Sequence, residues 1–330
     1  MEQKQQFPTE EVTLPSKGLL YPEGSPLKKG VIEMKYMTAK EEDILTNVNL
    51  IRSGTVLDKL LQSLIVTPIN YKELLVGDKN AILIAARILG YGPEYDVLLN
   101  HPETGIESKA TIDLTKLEDK ELDESIVIEN KNEFEFTLPT SKKTITFKLL
   151  THEDETKIDQ EIKGLEKLNR RGFEGTTKLK HMILSLDGNY DKKTIRDFID
   201  NAFLARDSRA LRNHVKDISP AVELQADAVF EDGAVEPNVL FPLGSDFFGL
   251  TPEYRNIIFT QIHDLVYHGG GGFIHSEVYN MPVWLRRYHI QKLNEYFKKR
   301  SEENSQQSEK PKSNITGPNI TPSSVYNFKK

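Results

Sequence analysis

Residues Tyr267 to Arg300 read YHGGGGFIHSEVYNMPVWLRRYHIQKLNEYFKKR. Four consecutive glycines, Gly269 to Gly272, give way to one long amphipathic pattern. A glycine run costs backbone entropy, so a loop is expected there and not a packed element. Beyond Asn280 the signals reverse. Pro282 suits the first helical position, where its missing N–H costs nothing. Leu285, Tyr288, His289, Leu293, Tyr296 and Phe297 then recur at helical spacing. The only tryptophan, Trp284, falls in the first turn beside Arg286 and Arg287. Trp, Tyr and Arg dominate interface anchors. The stretch therefore predicts a flexible loop followed by a helix that grips something large, with Phe273, Trp284, Arg286 and Arg287 as contact candidates. The competing reading places Trp284 in the core.

Just upstream, Thr251-Pro252 starts a helix whose inner stripe is Ile257, Ile258, Ile262, Leu265 and Val266. Together these pieces make a unit at 248–300. Before it, VELQADAVFEDGAVEPNVLFPL (222–243) alternates as strand–turn–strand about Asp232-Gly233, a hairpin within 221–247. The segment 151–220 is helical. Thr151 and Asp154 cap its first helix, and further helical patterns cover Lys178 to Leu186, Thr194 to Leu204 and Ser208 to Val215. The period is two over 94–150, with a hairpin turning at His101 to Gly105, then Phe134/Phe136/Leu138 and Ile145/Phe147/Leu149 in alternation. This predicts one small antiparallel β-module. The hairpins at 95–114 and 222–243 echo each other weakly.

A helical cluster is expected over 38–93. Thr38 and Glu41 form a capping box for a helix reaching about Leu50. Leu57, Leu60, Leu61, Leu64 and Ile65 mark a second helix. Asp78 caps a third, ILIAARIL, apolar on nearly every side and stopped by Gly90 and Gly92. Residues 1–37 show no regular pattern. Leu19, Leu20 and Tyr21 stand among closely spaced Pro and Gly, as an arm laid on the domain's own surface or docked on a neighbour. Residues 301–330 are polar enough to predict disorder. Val325, Tyr326 and Phe328 near their end are candidates for a docking peptide. The expected fold is thus α+β: a helix-rich body, small antiparallel hairpin modules, an irregular arm and a loose tail.

Composition narrows the function. The chain has 330 residues, a net charge of −7 and no cysteine. Disulfides and thiolate metal sites are excluded, and wholesale phosphate binding is a poor fit. No apolar run approaches the ~20 residues of a membrane span. The glycine run follows a helix and lacks the Lys-Ser/Thr step of a phosphate loop. The eight histidines form no metal-ligand spacing. No G-x-S-x-G elbow occurs. Asp246 beside Phe247 and Phe248 comes nearest to a carboxylate with a raised pKa, but a turn explains it better. Arg206, Arg209 and Arg212 repeat on one helix, yet without the interleaved aromatics of a nucleic-acid platform. No cofactor, metal, membrane or nucleic acid is expected.

Five stretches, taken in order, carry a resemblance: LPSKGLLYP (14–22), YMTAKEEDIL (36–45), AARILGYGPEYDV (85–97), ARDSRALRNHV (205–215), and the glycine loop with YNMPVWLRRYHIQKL (279–293). The chain resembles the baseplate hub and hub-assembly proteins of T-even-like contractile-tailed bacteriophages over most of residues 12–300. That resemblance implies a non-enzymatic structural or assembly protein of the tail baseplate hub, put together in the host cytoplasm. It implies contacts with other hub and tail proteins, among them the tape-measure protein and the central spike complex. Some relatives carry a cysteine-bearing, metal-ribbon-like turn at the first hairpin. Here the turn is His101-Pro102-Glu103-Thr104-Gly105, without cysteine, so zinc is not expected. A cell-wall hydrolase working through Asp or Glu, and a nucleic-acid binder using the arginine helix, are the alternatives.

Overall fold

A strand where no pattern was expected, Thr9–Thr13 (β1), pairs antiparallel with Val31–Lys35 (β2), so the N-terminal arm closes on itself as a broad hairpin. The structure is a computed structural model and describes residues 9–120, 126–128, 130–168 and 172–308. β1 is short and carries two glutamates, which hid its alternation. Between the strands, the chain turns through LPSKGLLYP. Leu14, Leu20, Tyr21 and Leu27 are buried in the main core. Gly18 is held at a φ of +76°, and a Cβ there would meet the Lys28 carbonyl oxygen at 2.3 Å. Only glycine fits this crossing.

Helices follow. Thr38 and Glu41 make the expected capping box at the start of Ala39–Leu45 (α1). The helix does not reach Leu50. The Thr46 hydroxyl bonds back to the Glu42 carbonyl, and Asn47 caps a new helix, Val48–Ser53 (α2). Val56–Leu64 (α3) buries Val56, Leu60, Leu61 and Leu64. Val76–Tyr91 (α4) buries Ala81 to Ile84 at the centre of the body and runs through Gly90 to a cap at Gly92. Asp78, expected as its cap, lies inside its first turn instead.

The strands of 94–150 do not form one module. Glu94–Asn100 (β3) and Glu107–Asp113 (β4) make the expected hairpin. Asp119–Lys120 (β5) is a short separate strand. Phe134–Thr137 (β6) and Thr144–Phe147 (β7) make a second hairpin elsewhere. His152–Lys167 (α5) and Glu174–Met182 (α6) come next. Ile183–Leu186, expected as helix, is a strand (β8) on β7, with Ser185 Oγ donating to Thr146 Oγ1 at 2.7 Å. Lys192–Asn201 (α7) and Ala205–Ile218 (α8) complete the helical middle. Ala221–Val222 (β9) pairs with β5.

Gln225–Phe230 (β10) and Val235–Leu240 (β11) form the last hairpin. The two hairpins that echo each other in sequence are halves of one sheet, ordered β11-β10-β4-β3. Ala228 lies opposite Ile112 and Phe230 opposite Ala110, so the inner residues of both hairpins face one core. Their turns also meet. His101 Nε2 lies 3.0 Å from Asp232, and Nδ1 accepts the Glu103 N–H at 3.2 Å. Tyr254–His268 (α9), His275–Tyr279 (α10) and Val283–Ser308 (α11) end the described chain. Their small core, Ile258, Ile262, Leu265 and Val278, closes on Ala39 of α1. α11 continues past Arg300, where the polar composition suggested that order would stop. Val325, Tyr326 and Phe328 lie outside the described residues. The fold is α+β, with small antiparallel sheets set into a helical body, and no described helix is long and apolar enough to cross a membrane.

Candidate interaction surface

Three consecutive carboxylates on α1 hold three different parts of the chain. Glu41 is fully buried and accepts from Thr38, from Lys35 Nζ at 2.8 Å and from Ser63 Oγ at 2.6 Å, tying α1 to β2 and α3. Burial alone would raise its pKa, but Lys35 and the hydroxyl donors outweigh it and hold the carboxyl below its ordinary value. Glu42, also fully buried, accepts from Tyr91 of α4 at 3.0 Å and from Arg286 of α11. Asp43 accepts from Tyr279 of α10 at 3.3 Å. It also faces Arg255 Nε of α9 at 2.9 Å, an ion pair without hydrogen-bond alignment. The Val283 N–H donates to the Met37 carbonyl at 2.9 Å, beside a bridge from Thr38 to Pro282. Glu42 and Asp43 thus clamp the α9–α11 unit to the body, while Glu41 fixes α1 within it. A run of acidic residues is ordinarily a solvated face, so this one is not legible as a clamp from its residues alone.

Another buried carboxylate, Asp78, fixes the arm. It accepts from the Ser16 N–H at 3.0 Å, Ser16 Oγ at 2.7 Å and Tyr21 OH at 2.7 Å. Tyr21 OH in turn accepts the Leu75 N–H at 3.0 Å. Burial pushes the Asp78 carboxyl up, against the pull of these donors. Leu20 and Tyr21, considered for docking on a neighbour, are covered by the protein's own core, and Leu19 packs against it half-buried. The apolar residues of the arm are spent inside the chain.

At the other end the outcome divides. Arg286, expected as a contact residue, has no exposed surface, because its Nη2 meets Glu42 and its Nε donates to Gln261 at 3.1 Å. Arg287 lies over the Tyr91 ring at 5.0 Å. Phe273 is half-buried against the small core, edge-on to His289 at 5.0 Å. It folds back over Gly269, where a Cβ would come within 2.5 Å of its ring. Trp284 remains 52 % exposed and Tyr288 51 %. They are one helical turn apart, on the side of α11 opposite Leu293, which packs inward. Around the glycine loop, Tyr267, Ile274, Tyr296 and Phe297 are exposed as well, and Tyr296 and Phe297 lie toward the Leu293 side of the helix. A shallow depression of about 390 Å³ between Phe273, His289, Leu293 and Tyr296 lies on that other side, against the glycine loop. Exposed aromatic residues are enriched at contact surfaces.

Features with catalytic overtones have structural partners. The cleft of about 560 Å³ between α3, α4, α5 and α8 contains His152, Asp58 and Glu155. Tyr71 donates to Asp58 at 3.0 Å, Lys79 pairs with Glu155, and His152 Nδ1 is 3.6 Å from Asp58 without a hydrogen bond. Asp246 belongs to a short 3-10 turn, Ser245–Phe248, with Phe247 and Phe248 buried. Arg206, Arg209 and Arg212 are exposed on α8, while Asp207 between them turns inward to accept the Thr140 and Ser141 N–H groups at 2.7 and 3.0 Å. Among the described residues, no group of three His, Cys, Asp or Glu side chains is placed to hold a metal ion.

Searches of curated proteins and of solved structures give no match to this chain. A family model described as T4 bacteriophage base plate protein matches residues 9–202, more than half the sequence. The matched span contains the arm with its Asp78 anchor and the Glu42-Asp43 clamp, and it stops before α9–α11. The chain belongs to the T4 bacteriophage base plate protein family.

Proposed function

We propose that this baseplate protein is a non-enzymatic structural or assembly component of the baseplate hub, working through contacts with neighbouring tail proteins. The observation that carries the reading is the outward face of α11. Trp284 and Tyr288 stand exposed on a helix whose root is locked by a fully buried ion pair. A rigidly mounted aromatic pair loses little conformational freedom on binding, which is what an interface anchor requires. The buried carboxylates that an enzyme would need are instead occupied by Lys35, Ser63, Tyr91, Arg286, Ser16 and Tyr21.

Co-purification of tagged protein with baseplate and tail proteins from infected cells tests this. The expected result is capture of hub components by the wild type and loss of capture by Trp284→Ala/Tyr288→Ala. Unchanged capture by that variant, or clear lysis in a peptidoglycan zymogram, overturns the reading. Mass spectrometry of purified virions then separates a resident subunit from a factor that departs after assembly.

A further inference from the structure

The Trp284/Tyr288 face of α11 carries a net positive charge. At about 100° per residue, Arg287, Lys292, Lys298 and Lys299 fall on this side of the helix, against Glu302 and Glu295, the latter paired with Lys292 at 2.8 Å. In a chain of net charge −7, a cationic helix face is the exception.

The opposite polarity collects on the outer face of the four-stranded sheet. There, a groove of about 650 Å³ is walled by Glu94, Asp113, Glu118, Glu223 and Asp227, with Lys116 as the one cation in its lining. Val229 and Val235, paired across β10 and β11, lie along it and are 44 % and 45 % exposed. The inner face of the same sheet is core, with Ala110, Ile112, Ala228 and Phe230 buried. The outer face is therefore a sheet surface with two valines on its floor among mostly acidic and polar side chains. Its net charge is opposite to that of the aromatic face of α11. Both surfaces are exposed in the same chain, so within one copy neither covers the other.

We propose that the α11 face of one copy docks in the acidic sheet groove of a second copy, head to tail. This rests on the reading above that α11 is a contact surface, and it names the partner. Opposed charge steers the encounter and sets its orientation, while the aromatic and valine side chains exclude water at the centre. Each copy offers one helix and one groove, so the contact is heterologous and builds a ring or an open string.

Light scattering and sedimentation of the full chain over a range of concentration and salt provide the test. The wild type is expected to associate, and more weakly as salt rises. Tyr288→Glu/Lys299→Glu on the helix and Glu118→Lys/Glu223→Lys on the sheet should each weaken self-association about tenfold or more. Circular dichroism confirms that both variants fold, since all four positions are exposed. Mixing the two variants joins the intact groove of one to the intact helix of the other, and the expected product is a dimer that grows no further. A wild type that stays monomeric throughout, or variants that each assemble as the wild type does, overturns the proposal. So does a mixture that forms no dimer. If the wild type is monomeric while the helix variant still loses hub components in co-purification, self-docking falls and the functional reading stands.

Discussion

Arg286 donates to Glu42 across 244 positions of the chain, and neither side chain has any solvent-exposed surface. Replacing Arg286 with methionine leaves a buried carboxylate without its counter-charge. The expected loss is about 3–5 kcal/mol, read from urea denaturation. Arg286→Met/Glu42→Met should recover most of that loss, because an apolar pair of similar volume often substitutes for a buried ion pair at little cost. A double variant no more stable than the single one would show that the clamp depends on Tyr91 or Gln261 instead.

The arm and the aromatic face should separate in a stability measurement. Leu20→Ala opens a hole in the main core, and a loss of about 2–5 kcal/mol is expected. Trp284→Ala removes an exposed side chain, and its thermal midpoint should shift little, corresponding to about 0.5 kcal/mol or less. Deleting residues 14–30 would remove four core side chains and the Asp78 anchor, so the product should be unfolded by circular dichroism rather than merely unable to bind.

Two glycines in helices should respond with opposite sign. At Gly77 a Cβ would fall 1.8 Å from the Pro220 carbonyl oxygen, so Gly77→Ala must push α4 away from β9. At Gly164, inside α5, a Cβ meets open space. Gly164→Ala should stabilise by about 0.5–1 kcal/mol, and Gly77→Ala should destabilise by several times that, both measured as shifts in urea midpoint.

The pH dependence should carry two opposed contributions. Burial raises and Lys35, Ser63 and Thr38 lower the Glu41 pKa, and the net is downward. Asp154 is likewise lowered overall, against its burial, by the donors Lys148 and Thr151. A lowered carboxyl stabilises the fold above its ordinary pKa, and that stabilisation is lost as pH falls through the folded value. Glu41→Gln should therefore flatten the acid side of a stability–pH curve. Asp78 runs the other way, because burial raises it. Its contribution is present below the ordinary aspartate value and is lost as pH rises through the folded one. The stability difference between wild type and Asp78→Asn should narrow as pH increases. A difference that widens would show that the donors around Asp78 outweigh its burial.

Local signals were legible where chemistry and structure are local. The Thr38–Glu41 capping box, the hairpin turning at His101 to Gly105 and the helix after Pro282 all depend on neighbours a few positions away. The misreadings are long-range. Ile183–Leu186 has a helical spacing but is claimed as a strand by β7, forty positions upstream, and tertiary pairing overrode the local period. Arg286 carries the signature of an interface anchor, and only Glu42 turns it inward. Leu20 and Tyr21 read as a sticky arm because Asp78, the residue that receives it, is more than fifty positions away and resembled a helix cap. Trp284, by contrast, is half-exposed, as expected of a contact candidate.

The order in which the sheet is completed bears on how the polypeptide is made. β4 gains its second neighbour only when β10 exists, more than a hundred positions later, and Glu42 gains its cation only when Arg286 has been added. A ribosome emitting this chain would release an early hairpin with one ladder edge open and a helix bearing a carboxylate with nothing to neutralise it. Closing contacts so distant in sequence is slow, and such half-finished species aggregate readily. The last third of the polypeptide, beyond the span shared with the family, is thus also what finishes the first.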